Sequence, residues 1–188
     1  MNKSEIIIFL KSLYSYLESN TLSEVVEFCD YLKLSKGTEL IQEGKRHGYF
    51  YFITKGSVKS YYLHEGNEIC TWFAFEKEMV STIKTFEGLT SNETIELLED
   101  SEFIRINTEA FKNLTGTKAS LSRLINELII GHAIFLEELL YLQSKPGKER
   151  YEILIKAEPQ LLQRVSLTDL ASFLGLSRET LSRIRSKQ

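Results

Sequence analysis

The chain has 188 residues, enough for one large domain or two small ones, and is 43% hydrophobic and 26% charged, the balance of a soluble globular protein rather than a disordered or fibrous one. Its formal net charge of −3 promises no general attraction to nucleic acid, and its two cysteines, Cys29 and Cys70, form no Cys-x-x-Cys pair, which excludes zinc and iron–sulfur ligand spacings. The charge is unevenly divided, however. Residues 145–188 carry nine Lys/Arg against five Asp/Glu, net +4, while residues 1–144 carry fourteen against twenty-one, net −7, a basic segment on an acidic body.

Residues 3–19 place Ile6, Phe9, Leu10, Leu13 and Leu17 at helical spacing, and a second short helix is expected over 23–33 with Val25, Val26, Phe28 and Leu32. The apolar run at 6–10 is far too short to span a bilayer and no charged-then-apolar leader opens the chain, so no membrane partner and a cytoplasmic location are expected. Lone thiols fit that reducing compartment. From Gly37 to Asn107 the pattern changes to short apolar bursts between turns. Residues 38–42, 49–54, 57–63, 68–74 and 102–107 read as strands, with Gly44, Gly56 and Gly66 between them. Short strands with turns every eight to twelve residues predict a small β-roll or barrel.

Residues 118–143 return to helix. Leu121, Ile125, Leu128, His132, Phe135, Leu139 and Leu142 alternate spacings of four and three, a heptad seam that predicts a homodimer contact. Leu124, Ile129, Leu136 and Leu140 widen the apolar face toward the roll. Lys145-Pro146-Gly147 breaks the pattern and marks the best domain boundary. A helix then resumes at about 148–157.

The most specific stretch is 166–187. Leu170, Leu174, Leu176, Leu181 and Ile184 are apolar, Ala171 is small where two helices would cross, and Gly175 stands at the turn. Ser166 with Asp169, and Ser177 with Glu179, read as helix N-termini. The outer face of the second helix holds Arg178, Glu179, Ser182, Arg183 and Arg185, all polar and suited to base edges and phosphates of double-stranded DNA. This is a helix-turn-helix pattern. Together with Ser177, those residues are the candidate DNA contacts, and Arg185 and Lys187 are candidates for phosphate alone.

The run Leu-Ala-Ser-Phe-Leu-Gly-Leu-Ser-Arg-Glu-Thr-Leu-Ser-Arg-Ile-Arg at 170–185 resembles the DNA-binding end of the Crp–Fnr family of bacterial transcription regulators. That family's Arg-Glu-x-x-x-Arg pattern falls on Arg178, Glu179 and Arg183. Gln42-Glu43-Gly44 and the stretch 53–58 also resemble the family's cyclic-nucleotide-type roll. The resemblance implies an α+β chain: a jelly-roll-like sensor domain with flanking helices over 1–117, a dimerisation helix over 118–144 and a helix-turn-helix domain over 145–188. It implies a palindromic operator, a second copy of the chain, RNA polymerase as a further partner, and a small-molecule effector in the roll. Activation would need a surface patch for the polymerase, which residue types alone do not mark.

The family's nucleotide site joins a Gly-Glu pair to a downstream Arg. Anchored on Leu98-Glu99-Asp100, those positions fall at Ser81 and Thr82 and at Ser91 and Asn92. Residues 75–98 hold no arginine but five glutamates, so a cyclic phosphate would meet repulsion instead of a bidentate clamp. Independence of cyclic AMP and no bound cofactor are expected. The alternative is a small-molecule-binding or metal-dependent cupin-like roll without a regulatory DNA role. It needs converging histidines, and the chain has only His47, His64 and His132, with no His-x-His. No nucleophile motif or P-loop is present, and no catalysis or metal is expected.

Overall fold

A computed structural model describes residues 1–186. Helices α1 (Lys3–Leu13) and α2 (Ser19–Val25) lead through a 3-10 turn (Val26–Phe28) into eight strands: β1 (Cys29–Leu34), β2 (Glu39–Ile41), β3 (Tyr49–Lys55), β4 (Val58–His64), β5 (Asn67–Ala74), β6 (Met79–Val80), β7 (Thr94–Leu97) and β8 (Ser101–Asn107). A single-turn helix α3 (Ile83–Phe86) separates β6 from β7. The chain then continues as α4 (Thr108–Thr115), α5 (Ala119–Gln143), α6 (Gly147–Ala157), α7 (Leu161–Arg164), α8 (Leu167–Phe173) and α9 (Arg178–Arg185).

The strands form two antiparallel sheets, ordered β1-β8-β3-β6 and β2-β7-β4-β5. Within the first, the central strand β3 is buried on both faces from Phe50 to Ile53, which explains its unbroken apolar sequence there. In β3, Tyr51 and Ile53 point into the roll with Val58, Ile95, Leu97 and Phe103. Phe50 and Phe52 point the other way, into a core shared with Ile6, Leu10, Leu22, Val25, Phe111, Leu121 and Leu124. The period of two thus divides one strand between two cores.

Two sequence expectations change here. The second helix ends at Val25, and Cys29–Leu34 is a strand paired residue by residue with β8. Its pattern of half-buried and exposed side chains is mixed, so only the partner strand reveals its type. The first helix stops at Leu13. Tyr14 and Leu17 pack off the helix, Tyr14 edge-on to Phe52 with ring centroids 6.1 Å apart.

The heptad seam also needs correction as a dimer face. Leu121 is 0% exposed and sits with Leu124 in the core under the roll, with Ile125 and Leu128 packed against it. Leu142 is buried at the other end. Heptad spacing marks an apolar stripe without naming what covers it, and the roll covers the first turns. Beyond Leu128 the helix leaves the roll and exposes Ile129, Ile130, Ile134, Phe135, Leu136, Leu140 and Tyr141. The stripe left open therefore runs Ile129, Ala133, Leu136 and Leu140, again at spacings of four, three and four. By length and composition α5 is apolar enough to cross a membrane, with 11% of its most apolar window buried.

The C-terminal helices enclose a third core of Tyr151, Leu161, Val165, Leu170, Ala171, Leu174 and Leu181, into which the roll inserts Phe75.

Candidate nucleic-acid interface

The helix-turn-helix is built as the residues dictate. Ser166 caps α8: its hydroxyl accepts from the Asp169 N–H at 3.0 Å and donates to the Asp169 carboxylate at 2.6 Å. Ser177 caps α9, accepting from the Thr180 N–H at 3.1 Å and donating to the Thr180 hydroxyl at 2.9 Å. Such caps satisfy donors that the first helical turn leaves open. Gly175, between the helices, has φ +61°, a backbone that favours glycine. Leu181 anchors α9 in the third core, and Ala171 lets the helices cross closely.

With α9 fixed on that side, its other face is free. Ser177, Arg178, Glu179, Ser182, Arg183 and Arg185 are all exposed. All six sequence candidates are thus open to solvent, Glu179 and Arg183 on the side away from Leu181. Arg183 leans back along its own helix, its guanidinium 3.4 Å from the Glu179 carbonyl oxygen and 3.4 Å from the Thr180 hydroxyl. Lys187 lies outside the described residues.

The candidate effector residues fare differently. The Thr82 side chain caps α3 and exchanges hydrogen bonds with Thr85, and Ser81 bonds to the same Thr85 hydroxyl at 3.1 Å. Ser91 is 2% exposed, and its hydroxyl donates to the Glu93 carbonyl at 2.7 Å and accepts from the Glu93 N–H at 3.1 Å. Asn92 accepts from Lys84 at 2.9 Å. Ser81 and Thr82 are thus engaged with Thr85, Ser91 with Glu93 and Asn92 with Lys84.

The feature that sequence reasoning missed is Glu93. Its carboxylate turns inward and accepts from the buried Ser60 hydroxyl at 2.7 Å and from the Trp72 indole N–H at 3.0 Å. Trp72 packs on the interior cluster of the roll. An anion of the chain's own thus occupies the polar end of the roll interior. Glu93 directly precedes β7 and continues the inward alternation of Ile95 and Leu97, and that was the available signal.

His47 faces the Tyr51 hydroxyl at 2.7 Å and stacks on that ring. Burial, then the charge of Arg105, lowers its pKa. His132 lies beside Phe135 on α5. Among the described residues no three His, Cys, Asp or Glu side chains are grouped to hold a metal. Burial, and for Cys70 the nearby Asp169, pushes both thiols up to about 12, so neither is a ready nucleophile.

Comparison with known proteins places this architecture. Residues 31–118 match the cyclic nucleotide-binding domain. Over 167 residues the chain is 28% identical to the fumarate and nitrate reduction regulatory protein of Vibrio cholerae serotype O1, an alignment that covers 80% of this chain and runs beyond the roll. The chain is therefore similar to proteins of the Crp–Fnr family in its roll and over most of its length. It spans 65% of the length of that relative. Among solved structures, the chain superposes on FixK2 from Bradyrhizobium japonicum with a TM-score of 0.75 at 19% identity, covering 85% of this chain and 83% of that one. A putative Crp/Fnr-family transcriptional regulator from Eubacterium rectale gives 0.70 at 18% identity, covering 93% and 85%. At such identities these two show the shared fold.

Proposed function

We propose that the chain is a sequence-specific DNA-binding transcription regulator that works as a homodimer and does not depend on cyclic AMP. The observation that carries this reading is α9 and its N-cap: six exposed polar residues on a helix that Leu181 anchors in the third core. Arg178 and Arg183 are suited to guanine O6 and N7, and Glu179 to cytosine N4. The relative from Vibrio cholerae is itself named a regulatory protein.

Dimerisation is supported by the open stripe on α5. A second copy laid along Ile129, Ala133, Leu136 and Leu140 would remove apolar surface from water, at about 25 cal/mol per Å², and would match two readers to a palindrome. Independence of cyclic AMP is supported by Glu93, whose charge in the roll interior would repel a cyclic phosphate. No catalytic role is part of this reading.

Selection of bound fragments from a random DNA library with the purified chain tests it. The expected result is a palindromic motif with half-sites about one helical turn apart. Recovery of unenriched sequence would refute the proposal.

A further inference from the structure

Arg164, the last residue of α7, crosses from the helical unit to the roll. Its Nη1 and Nη2 donate to the two carboxylate oxygens of Glu76 at 2.7 and 2.8 Å, and its Nε and Nη2 donate to Glu99 Oε1 at 3.0 and 2.6 Å. Nη1 also reaches Gln160 at 3.1 Å, and the guanidinium lies over the Phe75 ring, 5.0 Å from its centroid. Every guanidinium nitrogen is engaged, and the side chain is 21% exposed. Only a planar fork can hold two carboxylates in this way.

The acceptors are themselves fixed. Glu76 accepts the Gly56 N–H at 2.8 Å and Glu99 accepts the Ser57 hydroxyl at 2.6 Å, so both are tied to the β3–β4 turn. That turn is rigid: Gly56 has φ +103°, and a Cβ there would lie 2.5 Å from the Ser101 Cβ.

A second attachment lies along α8. β5 is the edge strand of its sheet. Ser172 completes it, accepting the Cys70 N–H at 3.0 Å and donating to the Glu68 carbonyl at 2.9 Å, so a side chain of α8 stands in for a neighbouring strand. Lys59, 7% exposed, binds Glu68 at 2.5 Å and Asp169 at 3.2 Å. Phe73 and Phe173 meet edge to face at 5.5 Å.

The roll thus holds α8 by Asp169, Ser172 and Phe173. The exposed residues of α9 take no part in these contacts, so the docked arrangement leaves the reading face open.

We propose that Arg164 is a positioning residue for DNA recognition: its clamp on Glu76 and Glu99 fixes the angle of the reading unit on the roll, and affinity for a two-half-site operator depends on it. This rests on the proposed dimeric DNA-binding role. Once one reader is bound, the second binds at an effective concentration set by how rigidly it is held over its half-site. A reader swinging on the segment after α5 dilutes that concentration without changing its own contacts.

Arg164→Met is therefore expected to lower affinity for a full palindrome by about tenfold or more, with binding to a single half-site changed by less than about twofold and the selected motif unchanged. Arg164→Lys, which keeps the charge and loses the fork, is expected to fall between wild type and Arg164→Met. A triple variant, Arg164→Met with Glu76→Gln and Glu99→Gln, removes the acids left unpaired, so that misfolding does not mask the result. Equal losses on both DNAs, or no loss on the palindrome, overturn the proposal. A wild type that binds neither DNA instead overturns the DNA-binding role. The clamp is then read without DNA, by small-angle scattering of wild type and the triple variant. Expansion in the variant supports it, and identical curves overturn it.

Discussion

Glu179 stands in the first turn of α9 with its side chain in solvent, and among the exposed polar residues of that helix it alone cannot bind a phosphate. A carboxylate beside backbone phosphates is unfavourable unless it accepts from a base, and cytosine N4 is the donor the major groove offers. Glu179→Ala is expected to relax preference at one base position, a loss of about 1–3 kcal/mol of discrimination, with overall affinity little changed. Arg185→Ala should weaken all sequences alike and flatten the salt dependence. Motif selection and salt titration on the two variants separate these roles, and an unaltered motif for Glu179→Ala removes it from base reading. Glu93 leads to a second expectation. Trp72 is the only tryptophan and its indole donates to the Glu93 carboxylate, so its fluorescence reports the roll interior directly. Millimolar cyclic AMP should leave that emission and the operator affinity unchanged. A saturable emission change would show that the carboxylate yields to an anion. The two cases also show what residue types disclose. Caps at Ser166 and Ser177 and the turn at Gly175 are local chemistry, complete within a few residues, and were legible. The partners of Glu93 lie 33 and 21 residues away, and strand register brings them together.

Helix α5 carries two apolar stripes with different partners. The first, through Leu121, Leu124, Ile125 and Leu128, belongs to the chain's own roll. The second, through Ile129, Leu136 and Leu140, faces solvent. The spacing sets the seam through Leu121, Ile125, Leu128, His132, Phe135, Leu139 and Leu142, with Ile129, Leu136 and Leu140 turned toward the roll, because a heptad records a period and not a covering surface. The strand β1 was misread for a related reason: Cys29–Leu34 is short, and its six pairings with β8 decide its form. By contrast, β3, β4 and β5 were readable because dense aromatic and β-branched residues are bounded by turn glycines. The division along α5 makes a testable distinction. Leu140, 68% exposed, can accept a charge in the monomer, so Leu140→Asp is expected to yield a folded monomer with weakened operator binding. Leu128→Asp places the charge against the core under the roll and is expected to lower the melting temperature as well. Sedimentation and thermal unfolding read the two effects. A wild type that is monomeric at micromolar concentration removes the dimer reading.

The roll and the reading unit are joined by one apolar core and by two sets of charges that lie apart. Phe75 gives the first link, since it sits among Tyr151, Leu161 and Leu170. Around it the Arg164 clamp is sensitive to acid in a defined direction. Hydrogen bonds from Arg164 and, after burial opposes them, from the Gly56 N–H hold the Glu76 carboxyl down to about 2, from an ordinary value of 4.5. Glu99 is lowered too: burial pushes it up, but bonds from Ser57 and Arg164 outweigh that. A carboxyl depressed in the folded state contributes stability that is complete above its ordinary value and is lost as pH falls through the depressed one. Glu78, which accepts the Phe75 N–H, has the opposite sign, because burial raises it. Its protonation relieves an unfavourable charge and does not open the interface. The clamp should therefore hold from neutral pH down through about 4.5 and release between there and about 2, loosening the unit that Ser172 holds on β5. Amide hydrogen exchange gives the measurement, since the Cys70 N–H donates to Ser172 across the interface. In the wild type its protection should persist at pH 5 and disappear in stronger acid. In Arg164→Met it should be reduced already at neutral pH, with the roll amides of β3 and β8 unaffected. Loss of Cys70 protection in the wild type above pH 5 would show that the interface does not depend on the depressed carboxyl of Glu76.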